Sequence, residues 1–359
     1  PLIGGPSAFG GTSNGFTGGG GFFGAGGPLG GSPVLVPSGT TPYTGPVYGA
    51  PTLGASPGFG VPPSALPNSA PSTLFPGGLF GTSAPYSPSF TPYRIIQRVR
   101  FRHTFLFGGD SPDDLEVNDT DVALAFAFPR FFFSNQPLFF APSFSLHLWD
   151  GPNASTGADL PSNAYSAFID FAWNSDPNRI LGAELSTSVG VYSEFDIFRS
   201  DSLRVRGRGL GTVRISPAST FKLGVYYYDR VDGKLLPAVG LFWRPNPLTR
   251  ADIFFPQPKF SRYISTLGTN DLWWYVSGDY GGGSWTIDRD NGREDQVDLN
   301  DIRLMLGFEW GPSERMRSGV RTGFFEFGYV FDREIVYRNN PIDNLSLDDT
   351  WMVRLGIGY

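Results

Sequence analysis

Leu203-Arg-Val-Arg-Gly-Arg-Gly-Leu-Gly-Thr-Val-Arg-Ile215 keeps a period of two, with Leu210 the one apolar residue on its basic side. Leu203, Val205, Gly207, Gly209, Gly211, Val213 and Ile215 share one side, while Arg204, Arg206, Arg208, Thr212 and Arg214 share the other. A period of two is the signature of a β-strand whose faces meet different surroundings. Here the apolar face is uninterrupted and the polar face is basic, and the run exceeds the five or six residues usual in soluble sheets. A membrane-crossing strand, which needs about 9 to 11 residues, fits that length.

The same pattern extends outward in both directions. On the N-terminal side it recurs at 98–109, 121–128, 142–149, 164–173 and 181–195. Towards the C-terminus it recurs at 219–229, 235–244, 271–287, 298–310, 319–333 and 350–359, and no amphipathic helix intervenes. The sequence therefore predicts an all-β, antiparallel transmembrane β-barrel of about twelve strands over 94–359. Loop lengths agree: with both ends of the barrel on the periplasmic side, 108–119, 150–163, 195–202, 288–297 and 334–349 are the longer outer loops, and 174–180, 216–219 and 311–318 the shorter inner turns. The two countings meet between 244 and 271, where Pro245, Pro247, Pro256 and Pro258 interrupt the pattern. That stretch is either an excursion or a further pair of strands, which leaves fourteen as the alternative.

Residues 1–93 are a different polymer. They contain no Asp, Glu, Lys, Arg or His, and they hold 23 of the 48 glycines and 17 of the 32 prolines. Such a composition favours neither helix nor regular sheet. It is nonetheless studded with aromatics: Phe9, Phe16, Phe22, Phe23, Tyr43, Tyr48, Phe59, Phe75 and Phe80. An irregular, uncharged, aromatic extension reads as adhesive, against a neighbouring subunit or the barrel lumen.

Composition excludes several function classes. A net charge of -6 argues against nucleic acid as a partner. No cysteine means no disulfide, thiol nucleophile or thiolate metal site. His103 and His147 alone cannot build a multi-histidine metal centre, so neither metal nor cofactor is expected. A chain beginning at Pro1 reads as processed, which fits export to a bacterial outer membrane.

Trp149, Trp173, Trp243, Trp273, Trp274, Trp310 and Trp351 fall at predicted strand ends, where indoles favour the membrane interface. Trp351, Val353, Leu355, Ile357 and Tyr359 form a final alternating strand closing on an aromatic residue. That ending resembles the C-terminal signal of bacterial outer-membrane proteins. In the runs 142–152 (PSFSLHLWDGP), 236–245 (LPAVGLFWRP), 281–285 (GGGSW), 303–309 and 328–333 (GYVFDR), the chain resembles an uncharacterised planctomycete-type family of outer-membrane β-barrels. The resemblance covers about 94–359 and implies location and architecture, not an activity.

Three features invite chemistry. His147 with Ser145 or Ser143 is the only plausible nucleophile set, but residues two apart on a strand lie about 7 Å apart and need not bond. The loop Asp288-Arg-Asp-Asn-Gly-Arg-Glu-Asp295 has oxygen ligands suited to calcium, yet its glycine comes one position early for an EF-hand, and Arg289 and Arg293 offset its charge. Arg98, Arg100, Arg102, Arg204, Arg206, Arg208 and Arg214 fall on inward faces, as do Glu184, Glu194 and Glu309 with Asp170, Asp301 and Glu326. These groups either line an anion-attracting pore or neutralise one another in an internal network. The sequence thus points to a non-enzymatic structural or assembly subunit of the envelope, embedded in the outer-membrane bilayer and joined to its own copies or to other envelope proteins. A passive porin is the alternative.

Overall fold

The computed structural model describes residues 96–358 apart from 129–130, 132–133, 135, 155–156, 177–178, 195–201, 232–233 and 318. The Gly/Pro extension with its aromatic residues lies outside the described residues. Fifteen strands follow in order: β1 (Ile96–Leu106), β2 (Glu116–Phe128), β3 (Leu138–Asp150), β4 (Asn163–Asn174), β5 (Leu181–Ser193), β6 (Leu203–Ser216), β7 (Ser219–Tyr227), β8 (Leu235–Asn246), β9 (Thr249–Phe255), β10 (Lys259–Leu267), β11 (Asn270–Asp288), β12 (Glu294–Pro312), β13 (Gly323–Tyr337), β14 (Leu345–Leu347) and β15 (Thr350–Ile357). A one-turn helix α1 (Ser313–Arg317) sits between β12 and β13.

Each strand from β1 to β13 pairs antiparallel with its successor, β13 pairs with β15, and β15 pairs with β1. That closes a fourteen-stranded barrel; β14 is a three-residue annex on β13 outside the ring. The preferred count of twelve is therefore corrected to fourteen. The added pair is β9 and β10, built from the proline-interrupted stretch. Pro256 and Pro258 fall between these strands, where no ladder donor is needed, and Pro247 falls in the turn after β8.

The face alternation follows from the two solvents of a membrane barrel. Val99, Leu203, Val205, Leu223, Ile253, Leu304 and Ile357 point outward and are exposed, whereas Arg100, Arg102, Arg204 and Arg206 point inward and are buried. No helix among the described residues is long and apolar enough to cross a membrane; the strands make the crossing.

Wall height is uneven. β9 has 7 residues, whereas β11 and β12 have 19 each. Nineteen residues reach about 60 Å, twice the roughly 30 Å of bilayer core, so this hairpin outruns the membrane; β12 stays paired with β13 as far as Val297↔Tyr337, whereas β11 parts from β10. The last backbone contact of β11 on the β10 side is Gly278 N donating to Pro258 O at 2.9 Å, followed by Gln257 Nε2 donating to Asp279 Oδ1 at 2.6 Å. Beyond it come Gly281, Gly282 and Gly283, and the strand turns inward. Gly282 has φ +83, and a Cβ there would collide with the Leu299 carbonyl oxygen. The turned half of β11 reaches β5 across the barrel, where Thr286 pairs parallel with Ser193.

The larger hydrophobic cluster consequently lies inside the barrel, running from the inward hairpin down to Phe139, Ala172 and Phe324 near the short turns, and a smaller one gathers Leu210, Tyr226, Tyr228, Ala238 and Phe254. Trp285, Ile287, Val297 and Leu299 of the hairpin pack with Leu106, Leu115, Val117, Trp149, Ile335 and Leu347. Two tryptophans expected at the membrane interface belong to the interior instead: Trp149 is 4% exposed and Trp273 fully buried, while Trp243, Trp310 and Trp351 do face outward. The inward pair sits on the lumen-facing parity of its strands, and parity overrides the interfacial preference of the ring.

Candidate functional site: an occluded lumen

Besides the ladder from β12 to β13, four sets of contacts hold the hairpin across the lumen. At β5, Glu194 N and Ser193 Oγ both donate to Thr286 O, at 3.3 and 3.1 Å, and Asp288 N donates to a Glu194 carboxylate oxygen at 2.9 Å. From β6, Arg204 Nη2 donates to Thr286 Oγ1 at 3.3 Å. At the wall of β2 to β4, the Trp285 indole N–H donates to Ser166 Oγ at 3.2 Å, and its ring meets His147 and Trp149 edge-on, with centroids 4.9 and 5.1 Å away. At the tip, Arg289 donates to Asp159, to Gly157 O and to Asp343 at 2.9 Å. It lies 3.5 Å from Asp295 and 3.9 Å over the Tyr337 ring. Burial alone would lower its pKa, but the Asp159 and Asp343 carboxylates beside it prevail and raise it, so Arg289 is held as a cation.

A side seam is closed by the loop between β7 and β8. Arg230 donates to Asn300 and to Gly281 O at 2.7 Å, with its guanidinium 4.5 Å over the Tyr280 ring, and Val231 N donates to Asp298 at 2.6 Å. Gly281 thus bends with its carbonyl already capped.

Below the hairpin the inward side chains pair mainly with nearby strands. Arg102 bonds Asp121 at 2.5 Å, Lys222 bonds Glu184 at 2.7 Å, and Arg303 bonds Asp301 at 2.5 and 2.8 Å. Glu309 gathers Arg250, Lys259 at 2.6 Å and Arg321 at 3.5 Å; Glu326 takes Tyr275 at 2.6 Å and Arg354 at 3.2 Å. Arg206 lies over Tyr192 and Phe168, at 4.5 and 5.4 Å from the ring centroids, and Arg208 lies 5.8 Å over Tyr226. Arg100 is buried, while Arg98 and Arg214 are half-buried near the inner turns. A cavity of about 30 Å³, room for about two waters, lies where the apolar hairpin meets this layer. Its lining includes Trp285, Leu299, His147, Asp119, Arg303 and Arg354.

His147 does not pair with Ser145 or Ser143. Its Nδ1 meets Asp119 Oδ1 at 2.7 Å and its Nε2 meets Ser166 Oγ at 3.0 Å, while Ser143 Oγ donates to Ala141 O at 3.3 Å. The order Asp119, His147, Ser166 has the geometry of a nucleophilic relay. However, the Trp285 N–H already bonds the hydroxyl that would attack, and Ser166 is 2% exposed. In this arrangement the relay fastens the hairpin. Pattern reading missed Ser166 because it lies on the neighbouring strand, where Ser145 faces it in register.

The loop 288–295 is only partly exposed. Asp288 and Asp290 are exposed, but Arg289 and Asp295 turn inward, and Asp295 accepts from Gln296 N and Asn339 N at 2.8 and 2.9 Å. Its carboxylates therefore diverge rather than converge on one cation.

Charge is segregated by barrel end. Within three residues of the inner turns and of the barrel's own chain ends, Arg98, Arg179, Arg214, Arg244, Arg250, Arg315, Arg317 and Arg321 stand against Asp176, Asp271 and Glu314, eight positive to three negative among the described residues. The same margin at the opposite loops gives fifteen carboxylates, from Asp110 to Asp349, against seven Lys and Arg.

Closed antiparallel strands, an apolar outer face and a charged interior define a transmembrane β-barrel of the outer-membrane type. No family model and no curated protein matches the chain. Among solved structures it is similar to an outer-membrane channel from Pseudomonas putida F1, at 8% identity over 73% of this chain and 94% of that one, with a TM-score of 0.30. It is likewise similar to a bacterial polysaccharide outer membrane secretin, at 11% identity over 73% and 97%, with a TM-score of 0.33. At such scores neither likeness bears on what this barrel does.

Proposed function

We propose that the chain is a bacterial outer-membrane barrel closed at rest, serving as a structural or assembly subunit of the cell envelope rather than as an enzyme or a passive porin. The observation that carries this reading is the β11–β12 hairpin, which turns inward at Gly281–Gly283 and fills the outer half of the lumen with a packed core. An open porin keeps a water-filled channel. The charged interior supports the same reading, since Arg102, Glu184 and Glu309 are engaged with partners rather than left facing water. The aromatic extension remains the proposed adhesive element, joining copies of the barrel or other envelope proteins. Its lack of charge means that such a joint resists salt.

The test is the particle mass of detergent-extracted full-length protein beside a version beginning at Arg94. A defined multimer that falls to monomers on truncation supports the reading. Monomers in both cases, with steady ion conduction in a planar bilayer, overturn it in favour of a pore. That second reading has one observation of its own: the glycine bend gives the hairpin a place to swing from.

A further inference from the structure

We infer that Arg262 holds the phosphate of a phospholipid against the outer wall of the barrel, in the leaflet on the side of the short turns. The inference goes beyond the structural reading above and rests only on the barrel's place in a bilayer. Outward-facing positions of the wall strands are mainly apolar and aromatic, and among the described residues Arg262 is the one Lys or Arg on that face. On β10 it stands between Phe260 and Ile264, both exposed, and in register it faces Thr249 of β9 and Trp274 of β11. Arg262 is itself exposed, and among the described residues no carboxylate pairs with it and no other group accepts a hydrogen bond from its guanidinium.

Three outward tryptophans set its depth. Trp274 is its direct partner in the ladder. Trp243 lies one row towards the opposite loops, reached through Ala251 and Phe260, and Trp310 lies one row towards the short turns, opposite Leu272. Outward indoles in such rows mark the membrane interface. The next residue, Tyr263, donates its N–H to Leu248 O in the β8–β9 turn at 2.9 Å, so on that side Arg262 stands where the wall ends. The wall is also shortest here: the seven residues of β9 reach about 23 Å, against about 30 Å of bilayer core. A bilayer thins to meet a short wall, which brings its phosphates towards Arg262.

A cation on a lipid-facing wall needs an anion at its own level. Residues 1–93 contain no Asp or Glu. Asp271, at the start of β11, is buried on the inward parity and engaged by Thr266, Ser313 and Arg317. Outward carboxylates of the wall strands, such as Glu116 and Asp150, sit at the opposite ends of their strands, so the membrane face of a second copy offers none at this depth. The bilayer supplies one with every phospholipid, a phosphate diester whose two free oxygens fit the guanidinium fork. Trp274 brings a second donor, its indole N–H, to the same level. The acyl chains then lie over Phe260, Ile253 and Phe255, all exposed.

The experiment is native mass spectrometry of the full-length protein in mild detergent, titrated with phosphatidylglycerol, with diacylglycerol of the same chains, and with phosphatidylglycerol in excess inorganic phosphate. Arg262→Gln is compared with the wild type and with Arg179→Gln, a control at an exposed arginine of an inner turn. Folding is checked by heat-modifiable migration on a gel. The expected result is one phosphatidylglycerol bound about tenfold more tightly by the wild type and by Arg179→Gln than by Arg262→Gln. The wild type should also prefer it about tenfold over diacylglycerol, and inorganic phosphate should not displace it. Equal binding by the folded Arg262→Gln overturns the inference, and so does equal binding of diacylglycerol by the wild type, a comparison that needs no variant. Displacement by inorganic phosphate overturns it in favour of a free-anion site, and an equal loss in Arg179→Gln in favour of diffuse surface charge. Conduction by the barrel would sink the structural reading without touching this result.

Discussion

Arg289 is the place to break the closure. Its guanidinium is 3% exposed and serves Asp159, Asp295, Asp343 and the Gly157 carbonyl at once. Removing one partner of a buried ion pair costs about 3–5 kcal/mol. Asp159 and Asp343 are 20% and 14% exposed and recover some hydration, so Arg289→Ala is expected to destabilise the docked hairpin by about 2–3 kcal/mol. At 1.4 kcal/mol per decade that raises the undocked population roughly 30- to 150-fold. The chain has no cysteine, so a single reporter is unambiguous: Val297→Cys places a thiol at a fully buried hairpin position. Labelling by a membrane-impermeant maleimide is measured with and without Arg289→Ala. A rise of one to two decades in rate is expected. A change below threefold in barrels that still show heat-modifiable migration would refute the idea that this clamp holds the hairpin down.

Other perturbations separate the parts of the account. Trp285→Ala removes a 3%-exposed indole and its bond to Ser166, at a cost of about 3–5 kcal/mol, and should lower the urea midpoint for loss of hairpin protection in hydrogen exchange more than that of the barrel wall. Gly282→Val should prevent docking outright, because both the positive φ and the Leu299 carbonyl oppose a side chain, and it is read as constitutive labelling of the Val297→Cys reporter. Val205→Arg, on the lipid face, should cost about 2–4 kcal/mol of folding stability in vesicles, whereas Thr212→Arg, on the lumen-facing parity, should cost less.

The wall of this barrel was legible because a membrane strand writes its two solvents directly into alternate residues. Leu203 to Ile215 shows this, and β6 occupies Leu203–Ser216. The segment Thr249–Leu267 was not, because two short strands flanking Pro256 and Pro258 carry too few alternations to outweigh the prolines. What fills the barrel was harder still. The inward half of β11 and the adjoining half of β12 are buried on both faces, so Gly281–Ile287 and Asp295–Asn300 lose their alternation, and only the glycine triplet before Trp285 marks the departure. The relay Asp119, His147, Ser166 spans three strands, and contacts across a sheet depend on register, which single-strand periodicity does not fix.

Closure of the lumen is tested most directly by the conductance of the full-length protein in a planar bilayer, beside a variant whose hairpin tip, residues 284–298, is replaced by a short turn. The account expects the wild type to insert silently, with no steady ohmic steps. Persistent open-channel conductance from the wild type, matching that of the shortened hairpin, would contradict it.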